Sequence, residues 1–129
     1  MKTLAELQAL TPQIAHCGQA QYDQWSQNED GYDHEVGYGG ICHLIVDEII
    51  KLLNSHRFET VSYSLDSEVH VVAIVQLKEG VFELDIPYRH YETGGGYTWK
   101  KVPNVKFDES MVIINKIDSD PNKFDDYLI

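Results

Sequence analysis

The sequence predicts a single α+β domain, residues 1–129, in which helices precede an antiparallel sheet of four or five strands. Apolar residues recur at helical spacing up to residue 53, and β-branched residues alternate with polar ones after residue 58. A chain of 129 residues is long enough for one apolar core and too short for two comfortable ones. We expect the acidic tail, residues 118–129, to be loosely held.

Composition excludes several classes of partner. The net charge of −11, from 21 acidic and 10 basic residues, predicts a surface that repels phosphate backbones, so we expect no nucleic-acid partner. No apolar run approaches the roughly 18 residues of a membrane helix, and the N-terminus lacks a secretion signal, so we expect no membrane partner. A cytoplasmic protein with reduced thiols fits best, although a Cys17–Cys42 disulfide stays open. The sequence leaves the oligomeric state unknown.

The N-terminal quarter predicts two helices and a long loop. Apolar residues at positions 4, 7 and 10 predict a short amphipathic helix over residues 2–10, and a second helix follows from about Pro12 to Trp25. Ile14 and Tyr22 are its expected packing residues. Residues 26–40 then lose the periodicity, and a loop of this length inside a compact domain is usually functional or disordered. Because it leads directly into Cys42, we favour the functional interpretation.

The strongest helical pattern begins with a cysteine. Apolar residues from Ile41 to Leu53 follow helical spacing around most of the circumference, which predicts a central helix. Cys42 stands in its first turn, where unpaired N–H groups and the helix dipole favour a thiolate. Gly39 and Gly40 precede it and allow the backbone to approach a substrate closely. The competing interpretation is that Cys42 only packs.

The second half predicts strands. Residues 58–65, 69–77 and 81–86 are rich in β-branched residues or alternate in polarity, and the last two runs form a predicted hairpin. Further strands are predicted over residues 97–102 and 111–114. A two-residue turn at Glu79-Gly80 would pair Lys78 with Val81. That register places His70 four residues, about 13 Å, from the position opposite Asp85.

Three residues occur in the order that a cysteine nucleophile needs. A thiol requires an imidazole to accept its proton, and the imidazole requires a carboxylate or amide to orient it. Cys42 opens the central helix, His70 lies near the start of one strand, and Asp85 lies near the end of the next. Alternatively, His70 is a solvent-facing strand residue and Asp85 forms a turn before Ile86-Pro87.

The segments around these residues resemble the core of transglutaminase-like proteins, within the papain-like cysteine hydrolase fold. The resemblance covers about residues 38–88 and rests on Gly40-Ile41-Cys42, Phe58–Ser64, His70–Val75 and Leu84–Pro87. It implies that Cys42 is the nucleophile, His70 the base and Asp85 the orienting acid. The implied activity is amide or peptide hydrolysis or acyl transfer on a protein, peptide or amide substrate, without a cofactor.

Aromatic and glycine residues on either side of this core are candidates for substrate binding. Tyr38 precedes the glycines before Cys42 and is the nearest side chain for a second oxyanion donor, and the competing interpretation is that it packs. Tyr97 and Trp99 follow three consecutive glycines and could line a cleft or a flap, or simply cover the sheet. The stretch Tyr91–Trp99 also resembles small proteins of phages and bacteria, a likeness that carries no function. The expected substrate-binding residues are Tyr38, Gly39, Gly40, Tyr97 and Trp99.

The sequence also bears on two other classes of function, metal binding and non-catalytic protein binding. Neither C-x-x-C nor H-E-x-x-H spacing occurs, so we expect no metal site. A non-catalytic acidic binding protein, of phage origin and acting on a host protein, stays open as the alternative to an enzyme. The hairpin register favours this alternative, as does Val72, which stands where transglutaminase-like proteins usually have an aromatic residue.

Overall fold

The computed structural model describes residues 1–27, 41–65, 70–86 and 106–128. In this part of the chain, three helices precede an antiparallel sheet with strand order β1-β2-β3-β4, so the predicted α+β class is confirmed. A 3₁₀ turn, Glu109–Met111, precedes the last strand, and a C-terminal 3₁₀ helix, Pro121–Tyr127, follows it. The helices and strands are α1 Leu4–Ala9, α2 Thr11–Gln27, α3 Ile41–Ser55, β1 Glu59–Leu65, β2 His70–Leu77, β3 Gly80–Asp85 and β4 Ile113–Asp118.

The two faces of the sheet pack against different elements of the structure. Alternate residues of β2 and β3 form the helix face, which packs against all three helices in the main core. The other residues form the tail face, which packs against the C-terminal 3₁₀ helix in a second, smaller core. The helix face contains Ala73, Val75, Leu77, Phe82 and Leu84, and α3 contributes Ile45, Val46, Ile49 and Leu53 to its cover.

The N-terminal helix is fixed to the hairpin between β2 and β3. The hydroxyl oxygen of Thr3 accepts a hydrogen bond from the backbone N–H of Glu6, which is the normal cap of a helix N-terminus. The backbone N–H of Leu4 donates to both carboxylate oxygens of Glu79, at 3.0 and 3.1 Å. The backbone N–H of Lys78 donates to the carbonyl of Lys2 at 2.7 Å. The hairpin thus satisfies groups that α1 would otherwise leave to water.

The predicted hairpin turn is wrong by one residue. Leu77 pairs with Gly80, so the turn is Lys78-Glu79 and Gly80 belongs to β3. Gly80 has φ +147° and lies against the backbone carbonyl of Asp118 in β4, where a side chain has no room. The close approach of β4 therefore places the glycine in the ladder and not in the turn.

The C-terminal region forms a strand and a 3₁₀ helix that the sequence did not fully predict. The last strand begins at Ile113 and not at residue 111, because Asp108 caps the 3₁₀ turn before it by accepting from the N–H of Ser110 at 2.9 Å. The acidic tail was expected to be loosely held, but its C-terminal 3₁₀ helix lies against the sheet. Phe124 explains this difference, because its side chain is only 3% exposed within the core of the tail face.

Among the described helices, none combines the length and the apolar character needed to cross a bilayer.

Candidate functional site

Cys42 is the second residue of α3, a helix of 15 residues. The first backbone N–H groups of an α-helix have no partner within the helix, and the dipole concentrates positive potential there. The apolar pattern that predicted this helix is confirmed, since Ile45, Ile49 and Leu53 are all buried. The fold therefore supplies the position that favours a thiolate.

The lengths of the helix and strand that connect them put the N-terminus of α3 toward the end of the sheet where β2 begins. After Ser55 the chain reverses through Arg57, which has φ +67°, and the hydroxyl of Thr60 at the start of β1 donates to Asn54 at 2.8 Å. Helix α3 is about 22 Å long and β1 about 23 Å, so β1 is long enough to return along the whole helix. The last residue of β1 is Leu65, which pairs with His70. The backbone positions of Cys42 and His70 are thereby brought to one end of the fold.

The corrected turn brings His70 nearer to the end of β3. The ladder pairs Ala73 with Leu84, so the same register sets Asp85 opposite Val72. His70 and Asp85 are therefore two residues out of register and not four as the predicted turn required. Two residues correspond to about 7 Å along a strand. Neighbouring strands thus hold both positions at the same sheet end.

Asp85 lies on the tail face of the sheet. It alternates with Leu84, which is fully buried in the core beneath the helices. Because successive strand residues point to opposite faces, the half-buried Asp85 side chain belongs to the face away from α3. The fold consequently separates this carboxylate from the helix of Cys42 by the thickness of the sheet.

The other predicted site residues lie outside the described part of the chain. They are the expected substrate-binding residues Tyr38, Gly39, Gly40, Tyr97 and Trp99. The long loop before Cys42 falls largely in residues 28–40, and the predicted strand over residues 97–102 falls in 87–105. Their assignment to a substrate cleft stays a prediction.

The second cysteine has the opposite environment. Cys17 carries a free thiol whose sulphur lies 3.9 Å from the backbone carbonyl oxygen of Glu48 in α3. Burial raises the pKa of the Cys17 thiol, and the nearby Glu48 charge raises it further. A thiol that stays protonated is a poor nucleophile, so Cys17 is a structural residue and an internal control for Cys42.

A shallow cleft lies between α2 and the segment before β4. It is lined by a histidine, two carboxylates and an aromatic ring: His16, Asp108, Glu109 and Phe107. The carboxylate of Asp108 accepts hydrogen bonds from the N–H and the hydroxyl of Ser110, and these hydrogen bonds lower its pKa. Within the described ranges, no group of three or more His, Cys, Asp or Glu side chains could hold a metal ion.

The tail face contains polar residues that the sequence did not single out. The rings of Tyr63 and Tyr127 meet edge to face, with centroids 5.3 Å apart. Burial raises the pKa of Tyr127, and nearby negative groups that include Asp118 and Glu83 raise it further. The signal in the sequence was Phe124, an apolar residue inside an otherwise acidic tail.

The chain matches no protein-family model, no curated protein and no solved structure. The resemblance to transglutaminase-like proteins is confined to the sequence segments around Cys42, His70 and Asp85.

Proposed function

We propose that this protein is a cysteine-dependent amide hydrolase or acyltransferase of the transglutaminase-like, papain-like type, acting in the cytoplasm on a protein or peptide substrate. The observation that carries the proposal is the common end of the fold shared by the first turn of α3, with Cys42, and the first residue of β2, His70. A thiol at a helix N-terminus and an imidazole at the adjacent strand end are the minimum for nucleophilic acyl transfer.

The reaction follows from these two groups. His70 takes the proton of the Cys42 thiol, and the sulphur attacks the carbonyl carbon of the amide. The oxyanion is stabilised by backbone N–H groups at the start of α3. His70 then returns the proton to the leaving amine as the C–N bond breaks, which leaves a thioester. Water or a second amine attacks the thioester and regenerates the thiol. These steps need no cofactor.

The side chain of Asp85 lies on the tail face, whereas α3 covers the helix face. The backbone position of His70, two residues before Val72, alternates in the same sense as Asp85, so the faces of the sheet do not distinguish the two residues. The proposal requires the thiol of Cys42 and the imidazole of His70 to meet at the shared end of the sheet, and the orienting role of Asp85 is tested separately. Replacing Asp85 by Asn removes the charge without changing the shape, which tests that role directly.

The placement of Asp85 also favours a second function, a non-catalytic acidic binding protein. A carboxylate on the tail face, across the sheet from the helix of Cys42, is positioned to meet a partner at that face. In this interpretation the order of Cys42, His70 and Asp85 in the chain has no catalytic meaning.

Alkylation of the cysteines distinguishes the two functions. Iodoacetamide labelling across a range of pH, followed by mass spectrometry, gives separate profiles for Cys42 and Cys17 in one sample. We expect Cys42 to react with an apparent pKa below the roughly 8.5 of a free thiol, and His70→Ala to abolish this shift. His56→Ala is the matched control, because His56 is exposed at the other end of α3 and should leave the profile unchanged.

The outcome decides between the candidates. An ordinary thiol profile for Cys42 in both the wild type and His70→Ala would contradict the enzyme and leave the binding protein. A shift that survives Asp85→Asn but not His70→Ala would establish a pair of residues instead of a triad. A shift lost in both variants would support the full triad.

A further inference from the structure

The tail face contains a socket that holds one phenylalanine of the chain's own C-terminus. The side chains of Val72, Ile74, Val81 and Phe124 are each at most 3% exposed and form the second core. The first three belong to the sheet, and Phe124 belongs to the C-terminal 3₁₀ helix. Without this helix, the three sheet residues would present an apolar surface to water.

The C-terminal 3₁₀ helix contacts both β2 and β3, and its aromatic residues Phe124 and Tyr127 belong to the core of the tail face. Its seven residues form a longer 3₁₀ run than is usual, and this geometry has weaker hydrogen bonds than an α-helix. The side-chain amide of Gln76 donates to the carbonyl of Pro121 at 2.9 Å, and Tyr127 meets Tyr63 edge to face. The remaining side chains of the helix are exposed or half-buried. Phe124 is the buried residue of this helix.

Electrostatic forces oppose this docking. Residues 119–128 contain three aspartates and one lysine. On the sheet side, Glu83 lies on the tail face with Val81, and Asp118 of β4 pairs with Val81 of β3. Negative charges therefore lie on both sides of the contact. The ion pairs among the described residues join Lys2 to Glu6 and Lys51 to Glu48, and neither holds the 3₁₀ helix to the sheet.

We propose that the tail face is a docking surface for a basic polypeptide segment bearing a phenylalanine, and that the C-terminal 3₁₀ helix occupies this surface in the free protein. The socket formed by Val72, Ile74 and Val81 fits a phenyl ring, as Phe124 demonstrates. The carboxylates of Glu83 and Asp118 beside it select lysine or arginine next to that ring. The proposal does not depend on the cysteine chemistry.

Competition between the C-terminal 3₁₀ helix and the partner segment for the tail face sets the expected affinity of the partner. A basic partner segment is attracted to the carboxylates of Glu83 and Asp118, whereas the chain's own acidic helix is repelled by them. It binds only the fraction of molecules in which the helix has left, so its apparent affinity is reduced by that fraction. Any change that loosens the C-terminal 3₁₀ helix should therefore tighten partner binding. Any change that improves the docking of the helix should weaken it.

The test uses the full chain, isotope-labelled for amide NMR, and a synthetic Lys-Lys-Phe-Lys-Lys peptide. We expect saturable shifts at Val72, Ile74 and Val81, weaker binding in high salt, and about tenfold tighter binding to Phe124→Ala because the competing helix is released. Peptides with alanine for phenylalanine, or glutamate for lysine, are the controls and should not shift these residues.

A second pair of variants keeps the test decisive if Phe124→Ala fails to fold. Asp126→Lys replaces repulsion by attraction and should weaken peptide binding, whereas Lys123→Glu adds repulsion and should tighten it. Both positions are exposed. The proposal is overturned if the peptide leaves Val72, Ile74 and Val81 unshifted, if the alanine peptide binds equally well, or if the two charge variants bind the peptide like the wild type.

Discussion

The α-carbon of Gly80 packs against the backbone carbonyl of Asp118, at the point where β3 meets the end of β4. A Cβ atom at this position would overlap that carbonyl, and the φ of +147° is one that residues with side chains rarely adopt. This contact lies beside the hairpin turn, where Leu77 pairs with Gly80.

We expect Gly80→Ala to lower the free energy of unfolding by about 2–3 kcal/mol, because strain in φ and a clash with immovable backbone act together. Urea denaturation followed by circular dichroism measures the loss. Lys78→Ala is the control, since its exposed side chain lies in the same turn and should change stability by less than about 0.5 kcal/mol. Equal stability of the two variants would contradict the contact.

Glu79 acts as a cap for α1 from a distant part of the sequence. Glu79→Gln leaves the N–H of Leu4 with a neutral acceptor and removes a negative charge from a helix N-terminus. We expect a loss of about 0.5–1 kcal/mol in the free energy of unfolding. Glu59→Gln removes the same charge from an exposed position of β1, so a comparable loss there would assign the effect to net charge and not to capping.

Gly18 in α2 lies beneath the ring of Phe107. A Cβ atom at Gly18 would come within 2.6 Å of that ring and 3.2 Å of the Cδ1 atom of Ile86. We expect Gly18→Ala to cost about 1–3 kcal/mol by overpacking. In a Phe107→Ala background most of this cost should disappear, because the ring that clashes is gone. A double-mutant cycle by urea denaturation measures the coupling, which should exceed about 0.5 kcal/mol.

The control for this cycle pairs Gly18→Ala with Val61→Ala. Val61 packs on the tail face, on the other side of the sheet. These two losses should add. Additive losses for Gly18→Ala and Phe107→Ala would contradict the predicted overlap.

The reactivity of Cys17 should depend on Glu48. Burial and the Glu48 charge both raise the pKa of this thiol, so we expect slow alkylation at pH 8 and faster reaction only at higher pH. Glu48→Gln removes one of the two causes and should lower the pH at which Cys17 reacts. Asp47→Asn, an adjacent change on the exposed side of α3, is the matched control. Identical labelling profiles for the two variants would assign the shift to burial alone.

Much of the secondary structure could be predicted because its signals are local. The apolar spacing of α3 and the alternation in β1, β2 and β3 are written in neighbouring residues, and the structure places these elements within one or two residues of the predictions. The hairpin turn lies one residue before its predicted position. Gly80 packs there against Asp118, which is nearly forty residues away in the chain. The C-terminal 3₁₀ helix was not predicted because Phe124 is buried against strands far earlier in the chain.

The sequence alone determined that Cys42 opens a helix and that Asp85 alternates with the apolar Leu84. It could not determine which face of the sheet would receive the helices, because alternation separates two faces without naming their neighbours. Tertiary packing made that choice: α3 covers the face of Leu84, and the C-terminal 3₁₀ helix covers part of the face of Asp85. The distance between a thiol and a carboxylate is set by these long-range contacts, so only the folded chain decides it.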